Sequence, residues 1–181
     1  MKDSVTVYSG KVVNISLDQV DLPNGRRAEL EIIHHPGGAA AVALDADGRV
    51  CLLRQFRHAA GGWIWELPAG KLEPQESPEL TATRELEEEA GRRAARWVSL
   101  GYMLSSPGVF DERIYLFLAR DLTEVPLNHE IHESIEVHWL PFTQALHMAQ
   151  SGEILDSKTI AGLFRAQAVL AGVAEFPSYF A

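Results

Sequence analysis

The chain has 181 residues, which is enough for one domain with a sizeable hydrophobic core. Its 46% hydrophobic and 23% charged residues are ordinary for a globular protein, and no apolar run is long enough to cross a bilayer. The net charge of −9 argues against a surface for nucleic acid or for an anionic membrane. The first residues lack the apolar core of a secretory signal, and Cys51 stands alone, so we expect a cytoplasmic protein with a buried structural thiol.

Antiparallel strands are predicted for the first part of the chain. Three strand-like runs fall within residues 4–35. The Asn-Gly pair at 24–25 is a strong hairpin signal, because both residues favour the positive φ of a type I′ turn. A second hairpin is predicted over residues 40–56, with its turn at the Asp-Gly pair 47–48.

Strands and helices alternate in the remainder of the chain. A short strand at 63–70 leads into a loop, and a helix follows. Ser77 can cap this helix, Pro78 fits its first turn, and Gly91 can end it in a left-handed conformation. The pattern predicts a mixed α/β sandwich. Further strands are predicted at 95–104, 113–120 and 134–141, and further helices at 142–151 and 157–172.

The helix after Ser77 concentrates its carboxylates on one face. On a helical wheel Glu85, Glu88 and Glu89 fall within about 100° of one another, whereas Glu87 points away and is expected to be solvated. Leu86 and two alanines lie on the neighbouring arc and can pack on a core. Three adjacent carboxylates are hard oxygen ligands suited to Mg²⁺ or Mn²⁺. Acidic helix faces are also common on ordinary solvated surfaces, so the helix alone leaves both interpretations open.

The spacing around these carboxylates carries a longer motif. Gly70 is followed by five residues and Glu76, then by seven residues and the sequence RELEEEAG at 84–91. This spacing resembles the Nudix box, with every charged position and glycine matched. The last aliphatic position of the box is occupied here by Arg92, which leaves the packing of the helix end against the sheet in doubt. On this motif the chain is identified as a member of the Nudix hydrolase family.

The resemblance implies a fold and a domain organisation. The fold class is α/β (α+β), a Nudix-type α/β/α sandwich with a mixed sheet. Residues 38–181 are expected to form the hydrolase domain. Residues 1–37 are expected to add a small N-terminal antiparallel sheet that joins two subunits into a homodimer, since a small sheet cannot bury its own face. The alternative is that this sheet folds back on its own subunit.

Metal ligands follow from the motif by position. The resemblance implies that the carbonyl of Ala69 and the carboxylates of Glu85 and Glu89 bind Mg²⁺, for which Mn²⁺ is a possible substitute. Glu88 is expected to support or bridge the metal site and is also a candidate for a catalytic role. Glu76 is expected to position the arginine of the motif rather than to bind metal.

Residues outside the box resemble the branch of ADP-ribose and ADP-sugar pyrophosphatases. The stretch 52–73 is similar to that branch and implies that Arg57 contacts a substrate phosphate. Arg54 lies three residues earlier on the strand and should point to the opposite face. Pro107, 16 residues beyond the box and followed by an acidic pair that includes Glu112, is a marker of the branch and implies substrate-binding roles for both residues. A Pro-Gly pair can equally be a simple turn.

The resemblance also implies that a loop beyond the box supplies the base that activates water. Within residues 127–141, Glu133 best matches the expected position, and Glu130 is the alternative. A carboxylate beside metal ions stays ionised at neutral pH, as a general base requires. Glu136 falls inside the following strand and is expected to face solvent. An exposed loop acid without a role is the competing interpretation of Glu133.

These features predict an enzyme that hydrolyses the pyrophosphate bond of ADP-ribose or a related nucleoside diphosphate sugar, giving AMP and a sugar phosphate. Other Nudix substrates remain open, namely GDP-mannose, a dinucleoside polyphosphate or an oxidised nucleoside triphosphate. A nucleotide-binding regulator without catalysis is a different class of function. Such modules usually have a damaged box, whereas the charged positions are intact here.

Overall fold

The computed structural model describes residues 3–129 and 134–177. An antiparallel three-stranded sheet opens the chain, in the order β1-β2-β3 (Asp3–Ser9, Asn14–Asp21, Arg27–His34). The predicted hairpin between β2 and β3 is present, but its turn is not type I′. Only Gly25 has a positive φ, and the loop is closed by hydrogen bonds between Leu22 and both Gly25 and Arg26.

A mixed sheet forms the centre of the molecule, in the strand order β7-β4-β9-β8. The inner strand β4 pairs parallel with β9 and antiparallel with β7, and β8 pairs antiparallel with β9. Every residue of β4 is buried. The strands are β4 (Gly38–Ala43), β7 (Ala69–Lys71), β8 (Arg92–Leu104) and β9 (Arg113–Glu124).

A third, antiparallel sheet has the order β10-β5-β6 (Ile135–Pro141, Arg49–Arg57, Gly62–Glu66). The hairpin predicted between β4 and β5 is therefore wrong in its main part. Gly48 does turn the chain with a positive φ, but the two strands share only the bridge between Leu44 and Val50 before they separate. Both edges of β4 are already paired with β7 and β9, so β5 has no edge of β4 to join.

Three helices cover the mixed sheet, α1 (Pro78–Ala90), α2 (Phe142–Ser151) and α3 (Ser157–Leu170). The predicted limits of α1 are confirmed. The Ser77 hydroxyl accepts a hydrogen bond from the Leu80 amide, and Gly91 ends the helix at a φ of 61°. None of the helices among the described residues is long and apolar enough to span a bilayer.

Side chains of β4 alternate between two parts of the core. Ala41 and Ala43 pack with Leu86 of α1, whereas Val42 and Leu44 belong to the cluster that includes α2 and α3. The mixed sheet thus lies between α1 on one face and α2 with α3 on the other, which confirms the predicted α/β/α sandwich. Cys51 is fully buried, and burial raises the pKa of its thiol well above the ordinary range, as expected for a structural cysteine.

Arg92, which stands where the motif has an aliphatic residue, makes three polar or aromatic contacts at the end of α1. Its guanidinium lies 5.3 Å from the centre of the Trp139 ring and pairs with Glu124 at 3.0 Å. It also donates to the Gly91 carbonyl at 3.0 Å. The aliphatic stem and stacked guanidinium therefore take the place of a branched apolar side chain at the end of α1.

Candidate active site

Strand β7, which precedes α1 in the chain, is held directly against the acidic face of the helix. The Ala69 amide donates a hydrogen bond of 2.8 Å to Glu89 Oε2. At Gly70 the approach is closer still, because a Cβ built there would lie 1.8 Å from Glu85 Oε1. Only glycine leaves room for the Glu85 carboxylate beside this backbone. The backbone at Ala69 and Gly70 therefore lies directly against the carboxylates of Glu89 and Glu85.

Arg84 connects the carboxylates of the motif. Its Nε and Nη2 atoms each lie 3.1 Å from one oxygen of Glu76, so the two side chains form a bidentate pair. Its Nη1 lies 2.6 Å from Glu85 and 3.1 Å from Glu88. The hydrogen bonds from Arg84 lower the pKa of Glu76 below its ordinary value. The predicted contact of Glu76 with Arg84 is confirmed.

Beside this helix lies a cleft of about 470 Å³. It brings together most of the residues singled out in the sequence. Its lining includes Arg57, Ala69, Gly70, Arg84, Glu85, Glu88 and Glu112, together with His35, Ser105, Asp156 and Lys158. Acidic groups from α1 and basic groups from other elements thus face one space, which suits a ligand that carries both phosphates and metal ions.

Arg57 and its partners form one wall of the cleft. Its Nε and Nη2 atoms donate to the two oxygens of Glu66, each at 2.8 Å. The Glu66 carboxylate is only 3% exposed, and it also accepts from Lys158 Nζ at 2.7 Å. Arg54 is exposed and stacks near Trp65, outside the cleft lining, so the two arginines do face different ways.

Burial and ion pairing act in opposite directions on the pKa of Glu66. Burial disfavours the charged form, but the hydrogen bonds and charges of Arg57 and Lys158 outweigh it and lower the pKa from 4.5 to about 2. A carboxyl group whose pKa is lower in the folded protein than in the unfolded chain stabilises the fold at pH values above its unfolded-state pKa. This contribution, roughly 3 kcal/mol, is expected to be lost as the pH falls from about 4.5 to about 2.

Glu66→Gln isolates this effect. The free energy of unfolding, measured by urea titration at several pH values between 2 and 6, should depend less steeply on pH in the variant than in the wild type. The other carboxylates contribute equally to the pH dependence of both proteins. The difference between the two slopes of unfolding free energy against pH therefore measures the contribution of Glu66. Identical slopes would contradict the assignment.

Glu112 and Pro107 are placed differently relative to the cleft. Glu112 lines it with a side chain that is 16% exposed, and its Oε1 lies 3.2 Å from His35 Nδ1. Pro107 lies in an exposed turn and is absent from the lining. The Glu112 carboxylate therefore borders the cleft, whereas Pro107 lies in the turn that precedes it.

The remaining predicted residues are Glu89, Glu130, Glu133 and Glu136. Glu89 is 2% exposed and lies behind the cleft surface against the Ala69 amide. Glu136 is exposed on β10, as predicted. Glu130 and Glu133 lie outside the described residues.

Carboxylates around Arg84 fit a divalent cation chemically. Glu85 and Glu88 present oxygens to the same guanidinium nitrogen, and Gly70 keeps the space beside Glu85 open. Within residues 3–129 and 134–177, no group of three or more acidic, histidine or cysteine side chains already has metal-binding geometry. Arg84 lies between two of the oxygens, so small side-chain movements would be needed to gather them on an ion.

Several cleft residues were not foreseen in the sequence. Lys158 and Asp156 come from the start of α3, and Glu66 of β6 lies behind the lining, where it pairs with Arg57 and Lys158. Ser105 also lines the cleft, and its hydroxyl is buried without a hydrogen-bond partner among the described residues. No local motif marks these positions, because the fold rather than the spacing brings α3 and β6 to the cleft.

Comparisons with known proteins agree with this geometry. The model of the NUDIX domain matches residues 34–161. The chain is 39% identical over 155 residues to the ADP-ribose pyrophosphatase of Bacillus subtilis (strain 168), with 84% of each chain covered. It is 38% identical over 175 residues to the ADP-ribose pyrophosphatase of Mycobacterium tuberculosis (strain ATCC 25618 / H37Rv), with 95% of this chain and 84% of the relative covered.

A solved structure described as an ADP compounds hydrolase has the same fold. The TM-score is 0.81, over 96% of this chain and 95% of the other, at 20% sequence identity. The motif match, the cleft built around it and these similarities lead to one conclusion: the chain belongs to the Nudix family.

Proposed function

We propose that the protein hydrolyses the pyrophosphate bond of ADP-ribose or a related nucleoside diphosphate sugar and releases AMP and a sugar phosphate. The observation that carries this proposal is the single cleft shared by Glu85, Glu88 and Arg57. Carboxylates on one element and a guanidinium on another match the two needs of a diphosphate, namely bound cations and a directional anion contact. The two relatives named above are ADP-ribose pyrophosphatases, which supports this substrate class.

In this proposal Glu85, Glu88 and Glu89, with the carbonyl of Ala69, hold Mg²⁺, and Mn²⁺ can replace it. When bound, the metal neutralises the diphosphate, polarises its phosphorus and lowers the pKa of a coordinated water. The protein contributes the alignment: the Ala69 amide fixes Glu89, and Arg84 orients Glu85 and Glu88. Arg57, held by Glu66, orients a phosphate of the substrate.

For the base that takes the proton of the attacking water we propose Glu133, with Glu130 as the alternative. The residues on either side of 130–133 support this assignment. A ring nitrogen of His129 lies 2.8 Å from the Glu89 carbonyl oxygen, and the Ser134 carbonyl accepts from the Phe56 amide at 3.1 Å. His129 therefore lies beside α1, and Ser134 lies beside the strand that carries Arg57.

Glu133→Gln is expected to lower kcat by roughly 100-fold or more, because a glutamine cannot accept the proton. The melting temperature should change little, and Glu130→Gln is measured beside it because Glu130 is the alternative base. A wild-type rate for Glu133→Gln, together with a reduced rate for Glu130→Gln, would move the role to Glu130.

The substrate is tested by steady-state rates on a panel, each member measured with Mg²⁺. The panel holds ADP-ribose, ADP-glucose, GDP-mannose, a diadenosine polyphosphate and an oxidised dGTP. We expect the highest kcat/KM for ADP-ribose. A higher value for another member would retain the chemistry and replace the substrate, whereas nucleotide binding without turnover of any member would favour a regulatory module.

We further propose a homodimer joined through the N-terminal segment, residues 1–37, with the hydrolase domain at 38–181. All residues of β1 are exposed, including Val5 at 63%, Val7 at 55% and Tyr8 at 54%. Three neighbouring exposed apolar side chains on a three-stranded sheet favour burial against a second copy. Sedimentation at micromolar concentration should give about twice the 20.0 kDa chain mass, and a monomer would exclude the dimer.

We place this dimer in the reducing cytoplasm, which suits its buried free thiol at Cys51.

A further inference from the structure

Lys158 is the second residue of α3, and its side chain borders the cleft. Its Nζ atom lies 2.7 Å from Glu66 Oε2 and 3.1 Å from Asp156 Oδ2. The side chain is 13% exposed. Lys158 and Arg57 therefore share one buried carboxylate, although they come from α3 and β5 and lie about a hundred residues apart.

Helix stability does not account for a lysine at this position. A cation in the first turn of a helix is opposed by the helix dipole, and burial of an ammonium group is costly unless it is paired. Asp156 already caps α3, because its carboxylate accepts from the amide and the hydroxyl of Thr159. Glu66 already has a bidentate partner in Arg57. Neither carboxylate requires Lys158 for its hydrogen bonds.

Arg57 and Lys158 each retain N–H groups that can donate hydrogen bonds to a ligand. Glu66 accepts from two of the five guanidinium N–H groups of Arg57, and no other described residue accepts from the remaining three. Glu66 and Asp156 lie near Lys158 Nζ, which leaves at least one of its three N–H groups. The wall of the cleft thus presents a guanidinium and an ammonium, fixed side by side through Glu66.

We propose that Lys158 is a substrate-binding residue that donates to a phosphate oxygen of the nucleoside diphosphate sugar next to the one held by Arg57, with Glu66 as the positioning residue for both. This inference rests on the proposed function. Lys158 is then a second phosphate-binding cation beside Arg57, since a diphosphate offers enough oxygens for two cations. The competing interpretation is an ion pair that only stabilises the attachment of α3 to β6.

The test compares Lys158→Gln, Lys158→Arg and the control Arg96→Gln, which also removes one positive charge, from an exposed position outside the cleft lining. For ADP-ribose, Lys158→Gln should raise KM roughly tenfold and leave kcat within about threefold, because one charge-assisted hydrogen bond to the bound substrate is lost. Lys158→Arg should restore most of the wild-type KM, and Arg96→Gln should behave as wild type.

Calorimetric binding of ribose 5-phosphate and of AMP gives a readout that does not depend on turnover. A weaker affinity of Lys158→Gln for either product supports the contact and shows which half of the substrate it serves. Unchanged KM and unchanged affinities, with a lowered melting temperature, would overturn the inference in favour of the ion pair. If wild-type protein fails to hydrolyse ADP-ribose, the proposed function fails, whereas the binding measurements still decide the role of Lys158.

Discussion

Glu89→Gln is expected to abolish most turnover, with a loss on the order of 100-fold or more, while the fold stays intact. Glutamine has nearly the same shape and keeps an oxygen for the Ala69 amide, which now donates to Glu89 at 2.8 Å. What the change removes is one negative charge from a side chain that is 2% exposed. Loss of that charge should weaken the binding of Mg²⁺ or Mn²⁺, which calorimetry with the metal alone can measure.

Glu87→Gln is the matched control for this change. Glu87 is on the same helix but pairs with Arg93 at 2.7 Å and lies outside the cleft lining. The control should keep wild-type kcat and metal affinity, with at most a small loss of stability from an exposed ion pair. The melting temperature of Glu89→Gln should stay close to that of the wild type, because glutamine keeps the shape of the side chain and an acceptor for the Ala69 amide. Wild-type activity and metal affinity in Glu89→Gln would contradict the metal assignment.

Gly70→Ala is expected to reduce kcat by roughly 100-fold through displacement of a single carboxylate. The added Cβ would lie 1.8 Å from Glu85 Oε1, so the Glu85 side chain must move. The φ of Gly70 is not in the left-handed region, so the backbone itself accepts alanine. The movement breaks the 2.6 Å contact between Glu85 and Arg84 and takes a proposed ligand out of position.

Gly62→Ala supplies the control, because nothing lies within 4 Å of a Cβ built there. Both variants add one methyl group to a strand, and both should remain folded by circular dichroism. Only Gly70→Ala should lose turnover and divalent-ion affinity. Equal activity in the two variants would show that the position of the Glu85 carboxylate is not critical.

The sequence predicts the structure best where function and local structure depend on the same residues. The limits of α1 follow from Ser77 and Gly91, and the carboxylate face follows from helical spacing. The contact between Glu76 and Arg84 follows from the motif and is present as a bidentate pair. These features depend on neighbours within about 20 residues, so local patterns are sufficient to predict them.

Predictions failed where partners are distant in the sequence. The turn signal at Gly48 is correct, but β4 and β5 separate because β9, some 70 residues later, takes the free edge of β4. For the same reason the sequence did not indicate Lys158. This residue is on α3, whereas its neighbours Glu66 and Arg57 are on strands β6 and β5. The contact of Arg92 with Trp139 could not be predicted either, because the motif has an aliphatic side chain at this position and Trp139 is distant in the sequence.

The central claim is that this cleft hydrolyses ADP-ribose at the pyrophosphate bond with the help of a divalent cation. The most direct measurement is product analysis of an ADP-ribose digest, by chromatography with Mg²⁺ and again with excess chelator. The account predicts AMP and ribose 5-phosphate in equal amounts with Mg²⁺ and neither product with chelator. Undiminished turnover in chelator, or products other than AMP and ribose 5-phosphate, would contradict it.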